Sequence, residues 1–131
     1  YRVKAKRIHQ ICHHLLGRFR GRVPETLEEL LTLPGVGRKT ANLVMTLGHK
    51  KPGICVDVHV HRISNRLGYV RTRAPFDTEM ALREKLPKKY WMEYNALLVS
   101  FGQELCRPVS PWCSRCPVKR YCARRGVDRS R

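Results

Sequence analysis

LPGVGRKTANLVM, residues 33–45, is the stretch on which the reading of this chain turns. A Pro-Gly-x-Gly sequence continues no regular helix. Pro34 has no amide hydrogen, and Gly35 and Gly37 readily take the positive φ that side-chain-bearing residues avoid. Residues 38–47 downstream are rich in Ala, Leu and Met and predict a helix. Residues 26–33 upstream predict a short helix with Glu28 and Glu29 in its early turns. Helix, glycine turn, helix is a helix-hairpin-helix over about residues 26–47. Its turn amides beside a helix N-terminus make a phosphate site, with Pro34, Gly35, Val36, Gly37, Arg38 and Thr40 as the candidate contacts. An ordinary corner between two helices with a glycine turn fits the same letters. Lys39 separates the two, because it sits in the first turn of the second helix, where the positive end of the helix dipole disfavours an ammonium. A lysine held neutral is a nucleophile, so a placement wrong for stability is right for chemistry.

The composition points the same way. The 131 residues carry 27 Lys+Arg against 10 Asp+Glu, a formal charge of +17 distributed along the whole chain rather than in a tail. A globular chain this basic meets a polyanion, and nucleic acid is the default partner. An anionic membrane surface is disfavoured because no amphipathic Lys/Trp helix stands out. No stretch reaches the roughly 18 apolar residues of a membrane span, and no signal peptide is recognisable. The expected compartment is the cytosol or nucleus, where the six cysteines stay out of disulfides.

Read in order, residues 1–19 form a helix, with Val3, Ile8, Ile11, Cys12, Leu15 and Leu16 at helical spacing. Gly17, Gly21 and Pro24 end it. The helix starts abruptly, with no cap and no methionine, which reads as a fragment of a longer chain. After the hairpin, HKKPG (49–53) breaks the chain. Residues 54–60 alternate like a strand, but nothing nearby can pair with them. Asp57 as an N-cap, with a helix over 58–67 and Val60, Ile63 and Leu67 inward, is preferred. The His59-x-His61 pair has no further metal ligand nearby and is read as structural or DNA-facing. Residues 71–76 are a basic loop. Asp77 caps a helix over 78–86, stopped by Pro87. Residues 90–105 are an apolar helix offering Trp91, Tyr94, Leu97, Leu98, Phe101 and Leu105 to the core. The expected fold is all-α.

Cys106, Cys113, Cys116 and Cys122 are separated by six, two and five residues in a proline-containing loop with little apolar mass. Such a loop does not fold by burial alone, and four thiolates suit a [4Fe–4S] cluster or tetrahedral zinc. Zinc sites usually come as two close pairs, and here only Cys113 and Cys116 are close, which favours the cluster. Arg107, Arg115, Lys119 and Arg120 crowd the loop and suggest a metal-ordered surface that grips phosphates. Cys12 and Cys55 fall outside the pattern and are expected to be buried thiols.

With LPGVGRKTA at 33–41, VDVHVHRISNRL at 56–67 and the six-two-five cysteine spacing in place, the chain resembles the endonuclease III family of DNA repair glycosylases. That is the helix-hairpin-helix branch that ends in an iron–sulfur cluster loop. The resemblance implies Lys39 as the catalytic lysine, Asp57 as the catalytic aspartate, and a [4Fe–4S] cluster on Cys106, Cys113, Cys116 and Cys122. It implies residues 1–51 as the C-terminal part of a six-helix domain and 52–131 as the cluster domain, with cluster loop 106–122. The family's further N-terminal helices are expected to be missing from this chain.

The resemblance also implies a reaction. The chain, a monomer, binds double-stranded DNA at a damaged base or abasic site, in the nucleoid of a prokaryote or in a eukaryotic nucleus or mitochondrion. Lys39 attacks C1′ as an oxidised pyrimidine departs, Asp57 stabilises positive charge on the sugar, and β-elimination cuts the strand. The alternative from a different class is a non-catalytic helix-hairpin-helix DNA-binding module or an inactive fragment. A basic zinc-binding transcription factor leaves the hairpin unexplained.

Overall fold

The computed structural model describes residues 1–131, all of them in helices, turns and irregular chain, with no strand. The fold is all-α, as the sequence predicts. The chain divides into two compact units, residues 1–53 and 54–131.

The first unit comprises α1 (Arg2–Phe19), α2 (Leu27–Leu31) and α3 (Arg38–Leu43), the last running on into a π-helical turn, Val44–Gly48. Its core is Leu30, Leu33 and Ala41, packed against Ile11, Leu15, Phe19, Val36 and Met45 among others. α2 starts at Leu27 because Thr26 caps it: the Thr26 hydroxyl accepts from the Glu29 amide and donates to the Glu29 carboxylate. Where a plain α-helix was expected to residue 47, the ladder widens after Leu43. The Thr46 hydroxyl donates to the Asn42 carbonyl at 2.9 Å, an i→i−4 side-chain bond that competes with the backbone ladder. Two expectations for α1 fail. Cys12 is exposed, not a buried thiol. No residue of the helix is fully buried, since Ile11, Leu15 and Phe19 reach the core while Val3, Ile8 and Leu16 stay more than half exposed. Gly17 lies inside the helix, which instead ends on Arg20 in the left-handed region.

The second unit comprises α4 (Val58–Leu67), α5 (Pro75–Lys85) and α6 (Trp91–Glu104), with single 3₁₀ turns at Lys88–Tyr90 and Lys119–Tyr121. Ile54, Val56, Val60, Val70 and Leu82 form its core, with Trp91, Tyr94 and Leu98 packed on it. Residues 54–56 are buried but pair with no strand. α5 starts earlier than expected: Pro75 takes the first position, where its fixed φ suits a helix and its missing amide costs nothing. Asp77 is therefore inside the first turn, and its carboxylate reaches back to the Ala74 amide at 3.2 Å rather than capping from outside. On α6, Leu97 is 62% exposed, against the expectation that it joins the core. It lies to one side of the stripe formed by Trp91, Tyr94, Leu98, Phe101 and Leu105. Cys55 is buried, as expected.

Candidate functional site

The hairpin turn has Leu33 buried at its start and Ala41 buried just beyond it. The Val36 amide donates to the Leu33 carbonyl at 3.1 Å, closing the turn. Gly35 has φ +75°, the left-handed region the sequence predicts for it, and a Cβ there would lie 2.6 Å from Arg7 Cδ. Gly37 does not: its φ of −96° is ordinary extended backbone, and its role is to be the N-cap of α3. Pro34 and Val36 are half-buried, Gly35, Gly37, Lys39 and Thr40 are exposed, and Arg38 is half-buried. Arg38 and Lys39 are the first two residues of α3, where backbone amides lack intrahelical partners and point out of the helix end. Exposed glycine backbone, an outward amide set and two cations make a surface that accepts a phosphate.

α4 begins with a stronger device. Asp57 Oδ1 accepts from the amides of both His59 and Val60 at 2.9 Å, so the carboxylate is held by the helix it caps. The side chain remains half-exposed. His59 is fixed from the other direction. Arg62 Nη2 lies 3.2 Å from His59 Nδ1 and donates to the carbonyl of Cys106 at 2.9 Å. Burial first, and then the neighbouring Arg66 charge, pull the Arg62 guanidinium below its ordinary value. The imidazole of His59 is thus packed against a guanidinium that is itself anchored to the Cys106 carbonyl. The contact requires Gly102 on α6, because a Cβ there would come 2.4 Å from His59 Nδ1 and 3.0 Å from Arg62 Nη2. His61 points into a different network, with Nδ1 2.7 Å from Thr78 Oγ1. The two histidines thus serve different partners and form no metal pair.

Cys106, Cys113, Cys116 and Cys122 are all half-buried and line one cavity together with Phe101 and Leu105. No group of three or more His, Cys, Asp or Glu side chains converges on a single metal ion. One zinc needs every sulfur about 2.3 Å from the same centre, whereas a cluster gives each sulfur its own iron and holds the ligands further apart. Four thiols lining one cavity are a donor set whose chemistry suits a four-cysteine metal group. Burial pushes the Cys116 thiol up, with the Val118 amide opposing it. Arg107, Arg115, Lys119 and Arg120 are exposed around this loop, with Arg115 over the Trp112 ring and Arg120 over the Tyr121 ring.

Arg62 and Arg66 lie within VDVHVHRISNRL (56–67) but carry no assigned role there, Gly102 belongs to no motif, and none of the three is visible to apolar spacing. The one available signal was an i,i+4 arginine pair beside the inward positions of α4. Arg66 is only 7% exposed.

The model of the HhH-GPD superfamily of base excision DNA repair proteins matches residues 1–89. Endonuclease III of Thermotoga maritima is 54% identical over 122 residues, covering 93% of this chain and 57% of that protein. Endonuclease III of Bacillus subtilis is 40% identical over 132 residues, covering all of this chain and 60% of that protein. Among solved structures, a trapped endonuclease III–DNA covalent intermediate superposes with a TM-score of 0.86 at 38% identity, over 92% of this chain and 57% of that one. A thermostable thymine-DNA glycosylase superposes with a TM-score of 0.78 at 27% identity, over 91% of this chain and 57% of that one. The chain thus spans rather less than two thirds of these relatives.

Proposed function

From the premise that the chain belongs to the HhH-GPD superfamily of base excision DNA repair proteins, and within it to the endonuclease III family, we propose that it carries a bifunctional DNA glycosylase and abasic-site lyase. The substrate is duplex DNA holding an oxidised pyrimidine or an abasic site. Residues 1–51 are the C-terminal part of the six-helix domain and 52–131 the cluster domain. The protein works where its DNA is, in a nucleoid, nucleus or organelle.

The observation that carries the reading is Lys39 at the second position of α3, directly behind a glycine turn, inside the region the family model matches. Basic side chains and the amides around Gly35 and Gly37 grip backbone phosphates, and the damaged nucleotide is turned out of the stack. The Lys39 Nζ lone pair bonds to C1′ as the glycosidic bond breaks and its electrons leave with the base. Asp57, fixed by the His59 and Val60 amides, stabilises the developing positive charge on the sugar and moves protons. The sugar ring opens to an imine on Lys39, the C2′ proton is removed, and the C3′–O bond breaks, releasing the 3′ phosphate. Hydrolysis of the imine returns the lysine. Cys106, Cys113, Cys116 and Cys122 hold the [4Fe–4S] cluster, which when bound ties the basic loop into one surface.

Borohydride reduction in the presence of duplex DNA with one abasic site tests this. The expected result is a covalent protein–DNA adduct that Lys39→Gln loses while retaining DNA binding. An adduct that survives Lys39→Gln overturns the assignment. Binding with no adduct from either protein supports instead a DNA-binding module without chemistry.

A further inference from the structure

Beyond the ligands themselves, the cysteine loop is organised by a residue the proposed chemistry does not use. The Arg66 side chain leaves the last turn of α4 and is almost entirely buried. Its Nη1 donates to the Arg107 carbonyl at 2.6 Å and lies 3.6 Å from Cys106 Sγ. Its Nη2 donates to the Pro108 carbonyl at 2.6 Å. On the main chain, the Arg66 carbonyl lies 3.5 Å from Cys122 Sγ and accepts from the Arg125 amide at 3.2 Å. One residue therefore touches both ends of the cysteine loop, Cys106 through its guanidinium and Cys122 through its carbonyl.

None of these partners is a carboxylate. A buried guanidinium met by dipoles alone is a charge in search of compensation, and metal-bound thiolates supply it. The carbonyl pair at 107 and 108 engages the fork of the guanidinium at two points, a geometry an ammonium does not reproduce.

We propose that the Arg66 guanidinium is the template and counter-charge of the start of the cysteine loop: it sets the position of Cys106 before the cluster arrives, and afterwards it stabilises the more negative redox state of the cluster. This rests on the cluster reading given above. The two roles separate by substitution. Arg66→Lys keeps the charge and gives up the two-point grip, whereas Arg66→Gln gives up both. Hydrogen bonds to ligand sulfurs and nearby positive charge raise a cluster's reduction potential. Arg66→Gln therefore lowers that potential and speeds cluster loss to an iron chelator about tenfold, the scale of one lost charge-assisted hydrogen bond. Arg66→Lys loses cluster faster than wild type but keeps a potential close to it.

The test is carried out on the whole chain reconstituted with iron and sulfide. Iron and acid-labile sulfide are counted first, then the chelator-driven loss of visible absorbance and the midpoint potential are measured for wild type and both variants. A wild-type chain that takes up zinc alone, or no metal, defeats the cluster reading and this proposal with it. A wild-type chain that holds the cluster, with Arg66→Gln matching it in potential and loss rate, defeats this proposal alone. If neither variant folds, the wild-type guanidinium decides. Its Nη protons are expected to exchange slowly, and fast-exchanging Nη protons overturn the proposal.

Discussion

The glycine hairpin at residues 33–37 and the cysteine loop at 106–122 are both irregular and both rich in residues that break helices, yet different forces hold them. The hairpin is bracketed by Leu30, Leu33 and Ala41, each at most 5% exposed. Burial fixes its ends, and Gly35 supplies the one left-handed residue the turn needs. The cysteine loop has little to bury: Val109 is 84% exposed and Tyr121 68%. It is tied by main-chain bonds such as Trp112 to Leu105 and Ala123 to Leu67, by the Arg66 fork, and by four thiols around one cavity. A turn made by burial is present whenever the helices are folded. One made by polar anchors and thiolates depends on what the thiolates hold.

The sharpest way to break this contrast is to deny the four thiols the cluster proposed for them. Cys113→Ser, or exhaustive chelation, is expected to collapse hydrogen-exchange protection across 106–125 while leaving α2 and α3 protected. Metal binding is worth about 10 kcal/mol or more in comparable small thiolate sites. Unchanged protection in the loop would show that it needs no metal. The complementary change is Leu30→Ala, which deletes a side chain only 1% exposed and should cost about 2–5 kcal/mol. Denaturant melts read through the first unit should show that loss, with the iron content of the loop unaltered.

A smaller effect separates structure from chemistry at Asp57. Asp57→Ala removes both capping bonds and should cost about 1 kcal/mol, whereas Asp57→Asn keeps an acceptor and nearly all the stability. If the carboxylate also carries the reaction, Asp57→Asn retains the melting temperature but slows single-turnover base release. Unchanged release would reduce Asp57 to a cap. The smallest effect is at the Glu25–Lys51 pair. The Lys51 ammonium 2.8 Å away holds the Glu25 carboxyl below the usual carboxylate range. A carboxyl lowered on folding stabilises above its unfolded value, and the contribution is lost as pH falls through the folded one. Both partners are exposed and screened by solvent, so Glu25→Gln is expected to leave the acid melting curve unmoved.

Much of this molecule is legible in its letters because local rules and tertiary demands agree. α4 runs from Val58 to Leu67 as the Asp57 cap and the apolar spacing dictate, and Val60 and Ile63 are completely buried. Glycine stereochemistry gives the left-handed turn residue at Gly35, and poverty of apolar mass marks the cysteine loop as one needing cross-links. Misreadings occurred where a second element decided the outcome. Leu97 and Leu98 are equally apolar, but only Leu98 faces the core. Asp77 and Ala74 compete for the start of α5, and Pro75 settles it.

The sequence by itself determined the all-α class, the hairpin, and which four cysteines stand together, because each depends on residue type at short spacing. Tertiary structure alone decided that Gly102 leaves room for His59 and Arg62, and that Arg66 ties Cys106 to the chain beside Cys122. Those relations join residues 40 to 56 positions apart. Their energetics come from excluding water around a charge, and no local pattern of letters records that.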